Sequence, residues 1–124
     1  MAGRVVDASV AAAVVFGEPR ASEAVKLLHG ADLYAPSLLA YELASVARKK
    51  AQRHPEQVEV IARALELGLA LDIHWLAVDQ VATLRLALQE EVSTYDASYL
   101  FLARSLGLPL VTFDERLGVL ASRV

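Results

Sequence analysis

Short apolar runs alternate with longer segments of helical periodicity along the whole chain, and this rhythm restricts the fold more than any other feature. Arg4-Val5-Val6, Asp32 to Ala35, Leu71 to His74 and Leu110-Val111-Thr112 read as strands. Between them lie helical stretches from Ala8 to Phe16, Ala21 to Leu28, Ser37 to about Arg53, Pro55 to Gly68, Val78 to Leu88 and Tyr95 to Leu106. A last short helix runs from Asp114 to Leu120. Glu18-Pro19, His29-Gly30, Pro36, His54-Pro55 and Gly107 supply the breaks. Ser37 and Thr94 read as N-caps of their helices. Strands separated by helices form a parallel sheet, because a parallel neighbour needs a crossover. Such a sheet is covered on both faces, which accounts for strands that are uniformly apolar. The expectation is an α/β fold with a short-stranded parallel central sheet, residues 1–124 forming one domain.

Hydrophobic residues make up 56% of the chain against 22% charged, so it carries enough apolar surface to bury a core. Cysteine is absent, which excludes disulfides, thiolate metal sites and a cysteine nucleophile. The formal charge is -3, so any nucleic-acid binding must rest on a local basic patch. Asp7 interrupts the apolar stretch after Arg4, and the uncharged run Ala8 to Gly17 ends at Glu18-Pro19. No run approaches the roughly 20 apolar residues of a spanning helix, and the expected location is cytoplasmic.

Ligands of open parallel sheets sit beyond the carboxyl ends of the strands. Two carboxylates occupy such positions: Asp7 after Val5-Val6, and Asp114 after Val111-Thr112-Phe113. Glu42 interrupts an otherwise apolar helical run, Leu38 to Ala44, and Asp96 lies in the first turn of a helix rich in apolar residues. A second reading stands beside each. Asp7 and Asp114 fit helix caps, and Asp96 fits the positive end of its own helix. Glu42 is the hardest to explain structurally, since a carboxylate among apolar neighbours is costly unless paired, protonated or bound to a cation. Four acids without cysteine or clustered histidine make a hard-oxygen set, suited to Mg²⁺ or Mn²⁺ above zinc. His29, His54 and His74 are scattered and read as surface or strand-end residues.

Val5-Val6-Asp7-Ala8-Ser9, Tyr41-Glu42-Leu43-Ala44, Tyr95-Asp96-Ala97-Ser98-Tyr99-Leu100 and Leu110-Val111-Thr112-Phe113-Asp114-Glu115-Arg116-Leu117 together resemble the PIN domain. More narrowly, they look like the VapC-type toxins of prokaryotic toxin–antitoxin pairs. The resemblance spans nearly the whole chain. It implies a three-layer α/β/α domain and a metal-dependent endoribonuclease. It also implies that Asp7, Glu42, Asp96 and Asp114 form an acidic pocket, with Asp7 and Asp96 as the first metal ligands. Ser9 and Thr112 match positions where the family often carries a hydroxyl near the site, and capping explains them equally well. The family usually has a last short strand, for which only Ala121 to Val124 remains.

The chemistry that follows is hydrolysis of RNA phosphodiester bonds by a metal-activated water, with one or two ions. Arg48, Lys49, Lys50 and Arg53 form a basic stretch that fits RNA phosphates and equally fits a favourable helix C-terminus. Arg104 and Arg116 are further candidates, and no aromatic stacking platform stands out. The apolar helices Ala21 to Leu28 and Pro55 to Gly68 are core or a self-association surface. The resemblance implies a homodimer and a cognate antitoxin. Three rivals remain. A phosphoacceptor lacks the second acid and the late lysine it needs. A non-catalytic binding module is disfavoured by the presence of all four acids, and a nuclease acting on DNA would use the same metal chemistry.

Overall fold

The computed structural model describes residues 2–123. The chain runs β1 (Gly3–Val6), α1 (Ala8–Val15), α2 (Ala21–Leu28), β2 (Asp32–Pro36), α3 (Leu38–Arg53), a 3₁₀ turn (Pro55–Gln57), α4 (Val58–Leu69), β3 (Ile73–Leu76), α5 (Gln80–Glu90), α6 (Thr94–Leu106), β4 (Leu110–Val111) and α7 (Glu115–Ser122). The four strands form one parallel sheet in the order β3-β2-β1-β4. The chain therefore steps outward from β1 to β2 to β3, then crosses back to place β4 on the other side of β1. With right-handed crossovers, the outward steps put their helices on one face and the return step puts its helices on the other. The helices pack accordingly: α1 touches α2, α3 and α4, while α6 touches α5 and α7.

The main core gathers Val5, Val6, Val10, Leu39, Leu43, Tyr99 and Leu102 around β1. A smaller cluster joins Leu100, Leu117 and Leu120 between α6 and α7. Alanines 11–13 of α1 are buried, and at Gly68 a Cβ would lie 2.7 Å from a methyl of Val15. α1 and α4 thus meet across small residues, which lets backbones approach closely.

Several boundaries differ from the sequence expectation, each for a local reason. β3 lies two residues later, because Leu71 closes a turn on Gly68 and the strand must pair with Leu33 to Pro36. β4 stops at Val111, since the Thr112 hydroxyl turns toward Asp7. α5 begins at Gln80, capped by Asp79, whose carboxylate accepts from the amides of Val81 and Ala82. Ser93 caps α6 in place of Thr94, its hydroxyl accepting from the Asp96 amide. Ser37 is itself helical and makes no side-chain cap bond. α7 continues to Ser122, so residues 121–122 are helical; Val124, the end of the expected last strand, lies outside the described residues.

The stripe that recurs at helical spacing on α5 faces outward. Val81, Leu84 and Leu88 point to solvent, Leu88 being 72% exposed, while Thr83 and Ala87 are buried. Thr83 tolerates burial because its hydroxyl donates to the Asp79 carbonyl at 2.7 Å.

Candidate acidic site

The strand order reverses between β1 and β4, and such a switch point opens a crevice at the carboxyl edge of a parallel sheet. Asp7 leaves β1 there and Asp114 follows β4, with Val6 and Val111 paired in register and the Asp7 amide donating to the Val111 carbonyl at 3.2 Å. α3 brings Glu42 and α6 brings Asp96 to the same edge. The capping readings hold as well: Asp7 accepts from the Val10 amide at 3.2 Å, and Asp114 from the Leu117 amide at 2.8 Å. One carboxylate can both cap a helix and face a ligand, because it offers about four lone-pair sites.

Asp7 is only 6% exposed. Its Oδ1 accepts from the Ser9 hydroxyl and its Oδ2 from the Thr112 hydroxyl, both at 2.6 Å. Each hydroxyl in turn accepts a backbone amide at 3.0 Å, Ser9 from Phe113 and Thr112 from Asp114. Two relays therefore run from the β4–α7 turn through a hydroxyl to Asp7 and fix its plane. With the Val10 amide also on Oδ1, one lone pair of Oδ2 is left for a ligand.

Glu42 is half-buried, and its Oε1 accepts the Tyr99 hydroxyl at 2.6 Å. Burial raises the Tyr99 pKa and Glu42 raises it further, so the phenol stays protonated as a fixed donor. Among the described residues, no hydrogen bond within the chain occupies the Asp96 carboxylate.

The carboxylates sense one another. Burial raises the pKa of Asp7 above its ordinary value, against hydrogen bonds that lower it. Burial also raises Glu42, with Asp7 and Asp96 adding to the rise. Asp96 is raised by burial and then by Asp114 and Asp7, with Arg116 acting in the opposite sense. The four acids named from the sequence thus share one electrostatic neighbourhood that favours a cation. Among the described residues, no three carboxylates or imidazoles converge into a preformed cage for a metal ion. The donors are all oxygen, a set that suits Mg²⁺ or Mn²⁺ above zinc.

The basic candidates are dispersed. Lys50 pairs with Glu18 at 2.7 Å and lies over the Phe16 ring. Arg48, Lys49 and Arg53 are exposed on the far half of α3, about 9 to 16 Å along the axis from Glu42 at 1.5 Å per residue. Arg104 donates to the Leu120 carbonyl, and Arg116 to the carbonyls of Glu90 and Glu91, so both tie helices together.

Two residues without a role in the sequence reading stand at the site. Tyr99 could be suspected only as the polar member of a buried stripe. Arg20 carried no local signal. Its guanidinium lies 3.7 Å from the centroid of the ring of Phe113, the residue before Asp114, while a two-point contact with Glu23 holds it.

The PIN domain profile matches residues 4–122. Ribonuclease VapC3 of Pyrobaculum aerophilum is 35% identical over 119 residues, covering 92% of this chain and 91% of that protein. Ribonuclease VapC9 of Mycobacterium tuberculosis is 34% identical over 114 residues, covering 92% and 87%. Among solved structures, PAE2754 of Pyrobaculum aerophilum superposes with a TM-score of 0.80 at 25% identity, over 98% of this chain and 86% of that one. VapC20 of Mycobacterium tuberculosis, described as a toxin cleaving the sarcin-ricin loop, matches with a TM-score of 0.70 at 17% identity, over 98% and 97%. This last likeness bears on the fold alone.

Proposed function

The chain belongs to the PIN domain family and is a ribonuclease of the VapC toxin type, and we propose that it hydrolyses RNA phosphodiester bonds at the acidic pocket with Mg²⁺ or Mn²⁺ bound there. The observation that carries this reading is Asp7, buried, braced by two hydroxyls and surrounded by other carboxylates. Asp7 and Asp96 would hold the ion, with Glu42 and Asp114 binding it directly or through water. When bound, the ion activates a water and offsets charge on the phosphoryl oxygens.

The chain's own residues do the positioning. Ser9 and Thr112 hold Asp7, and Tyr99 holds Glu42 by one oxygen. The other oxygen of Glu42, or the carboxylate of Asp114, would accept the proton that the attacking water gives up. Arg48, Lys49 and Arg53 would meet RNA phosphates along the strand. Lys50 is the weakest of the basic candidates, because Glu18 already neutralises it.

An RNA substrate sets the reaction in the cytoplasm, and no helix among the described residues is long and apolar enough to cross a membrane. The antitoxin has a groove available. A cavity of about 500 Å³ joins Val15, Phe16, Val60 and Ile61 to Arg53, which suits an amphipathic segment with an acidic residue. The exposed stripe of Val81, Leu84 and Leu88 on α5 is the surface proposed for the homodimer.

The test is cleavage of a mixed panel of structured and single-stranded RNAs, with DNA strands alongside, in Mg²⁺, Mn²⁺ or EDTA. RNA cleavage is expected only with a divalent ion. Asp7→Asn and Asp96→Asn are expected to fall below about a hundredth of the wild-type rate with unchanged circular dichroism. Full cleavage by both variants would overturn the site, and cleavage confined to the DNA strands would overturn the substrate.

A further inference from the structure

Beside the acids, the carboxyl ends of β2 and β3 and the first turn of α6 enclose a cleft of about 210 Å³. Leu38, Leu76 and Val78 form apolar wall, while Ser37, Gln80 and Tyr95 bring polar atoms and a ring. No charged residue lines it. Next to four carboxylates, this neutrality favours an uncharged occupant over a phosphate or a metal ion.

The cleft is joined to the acidic pocket by helix geometry. Leu38 lies one turn before Glu42 on α3, and Tyr95 one turn before Tyr99 on α6. Glu42 and Tyr99 are bonded to each other at 2.6 Å. Residues four apart on a helix stand about 5–6 Å from one another, so the cleft begins one helical turn from the carboxylates. That is close enough for a base whose own sugar-phosphate lies at the acids.

Tyr95 is 61% exposed although it faces a partly apolar wall, so its ring is open to a planar ligand. The walls are already built. The Ser37 amide donates to the Leu76 carbonyl at 2.9 Å, which locks the two strand ends together. Asp79 caps α5 and thereby fixes the Ala77–Val78 edge and Gln80. The volume lies below the roughly 300–1,000 Å³ of pockets for larger ligands, which limits the occupant to one small planar group.

We propose that this cleft receives one unstacked nucleobase of the RNA, with Tyr95 as its stacking face and Ser37 and Gln80 reading its edge, and so selects which phosphodiester is cut. The inference rests on the ribonuclease reading and adds to it the determinant of sequence preference. Single-stranded RNA is recognised in this way, by a base splayed onto an aromatic ring and bonded along its edge.

Two measurements test it. In the first, the four ribonucleosides, which carry no phosphate, are titrated into the full chain in EDTA, and the ring of Tyr95 and the amide of Gln80 are followed by NMR. At least one nucleoside should shift both signals saturably. Tyr95→Ala should abolish the Gln80 shift and Tyr95→Phe should retain it. Shifts absent from the cleft with all four nucleosides would overturn the proposal.

In the second, cut ends from a randomised RNA are sequenced. The wild type should show a base preference at one position next to the cut. Tyr95→Ala should flatten that preference and raise KM roughly five- to a hundredfold with little change in kcat, and Tyr95→Phe should restore both. An unchanged cut-site profile in Tyr95→Ala would overturn the proposal. A wild type that binds a nucleoside in the cleft but cuts no RNA would sink the ribonuclease reading and leave the base site standing.

Discussion

At the scale of single residues, Ser9 and Thr112 matter because they grip one carboxylate from two sides while a backbone amide grips each of them. Groups that orient a metal ligand typically change metal affinity or activity 10–100-fold when removed. Ser9→Ala and Thr112→Val are each expected to lose about that much in cleavage rate, with the loss partly recovered at high Mg²⁺. A variant as active as the wild type at limiting Mg²⁺ would reduce the hydroxyls to turn residues. The raised carboxyls predict a pH dependence of a definite sign. Asp7, Glu42 and Asp96 hold their protons more tightly folded than unfolded, so the folded state binds more protons above the ordinary carboxyl range. Their contribution to stability without metal should therefore be fully present below that range and be lost as pH rises through the raised values. Asp96→Asn should melt higher than the wild type in EDTA, by a margin that grows from pH 5 to pH 7.5. Adding Mg²⁺ should raise the melting point of the wild type and leave Asp96→Asn unmoved. A wild type less stable at pH 5 than at pH 7.5 would contradict this sign.

At the scale of elements, the periodicity of α5 identified a stripe and left open what the stripe faces. Val81, Leu84 and Leu88 recur at helical spacing, yet Thr83 and Ala87 turn inward because small side chains let α5 pack closely on α6. The contact of α4 with α1 has the same character at Gly68. Alanine is the better helix former by about 1 kcal/mol, but its methyl would press on Val15. Overpacking costs about 1–3 kcal/mol, so Gly68→Ala should lower stability in urea unfolding despite its propensity gain. A stabilised variant would mean that Val15 gives way freely.

At the scale of the whole molecule, the exposed apolar stripe of α5 is where the homodimer is proposed. Leu84→Glu combined with Leu88→Glu should convert a dimer to a monomer in sedimentation while leaving the helical signal intact, because both side chains are already exposed. A double variant that still dimerises would move the interface to α2 or α4, whose apolar faces the sequence left open between core and self-association.

The sequence by itself determined the strand–helix rhythm, the parallel sheet and the family, and it singled out the four acids. Those features depend on short-range properties: apolar period, glycine and proline breaks, and a carboxylate placed directly after a strand or inside an apolar stripe. Tertiary structure alone decided that the Thr112 hydroxyl meets Asp7 across 105 residues and that the Tyr99 hydroxyl meets Glu42 across 57. It also decided that Arg20 would rest on Phe113, that α5 would turn Val81, Leu84 and Leu88 outward, and that an uncharged cleft would open beside the acids. The reason is physical. Propensity and period fix an element and its faces, but which side chains meet across the fold follows from strand order, register and close packing, and these exist only once the elements have docked.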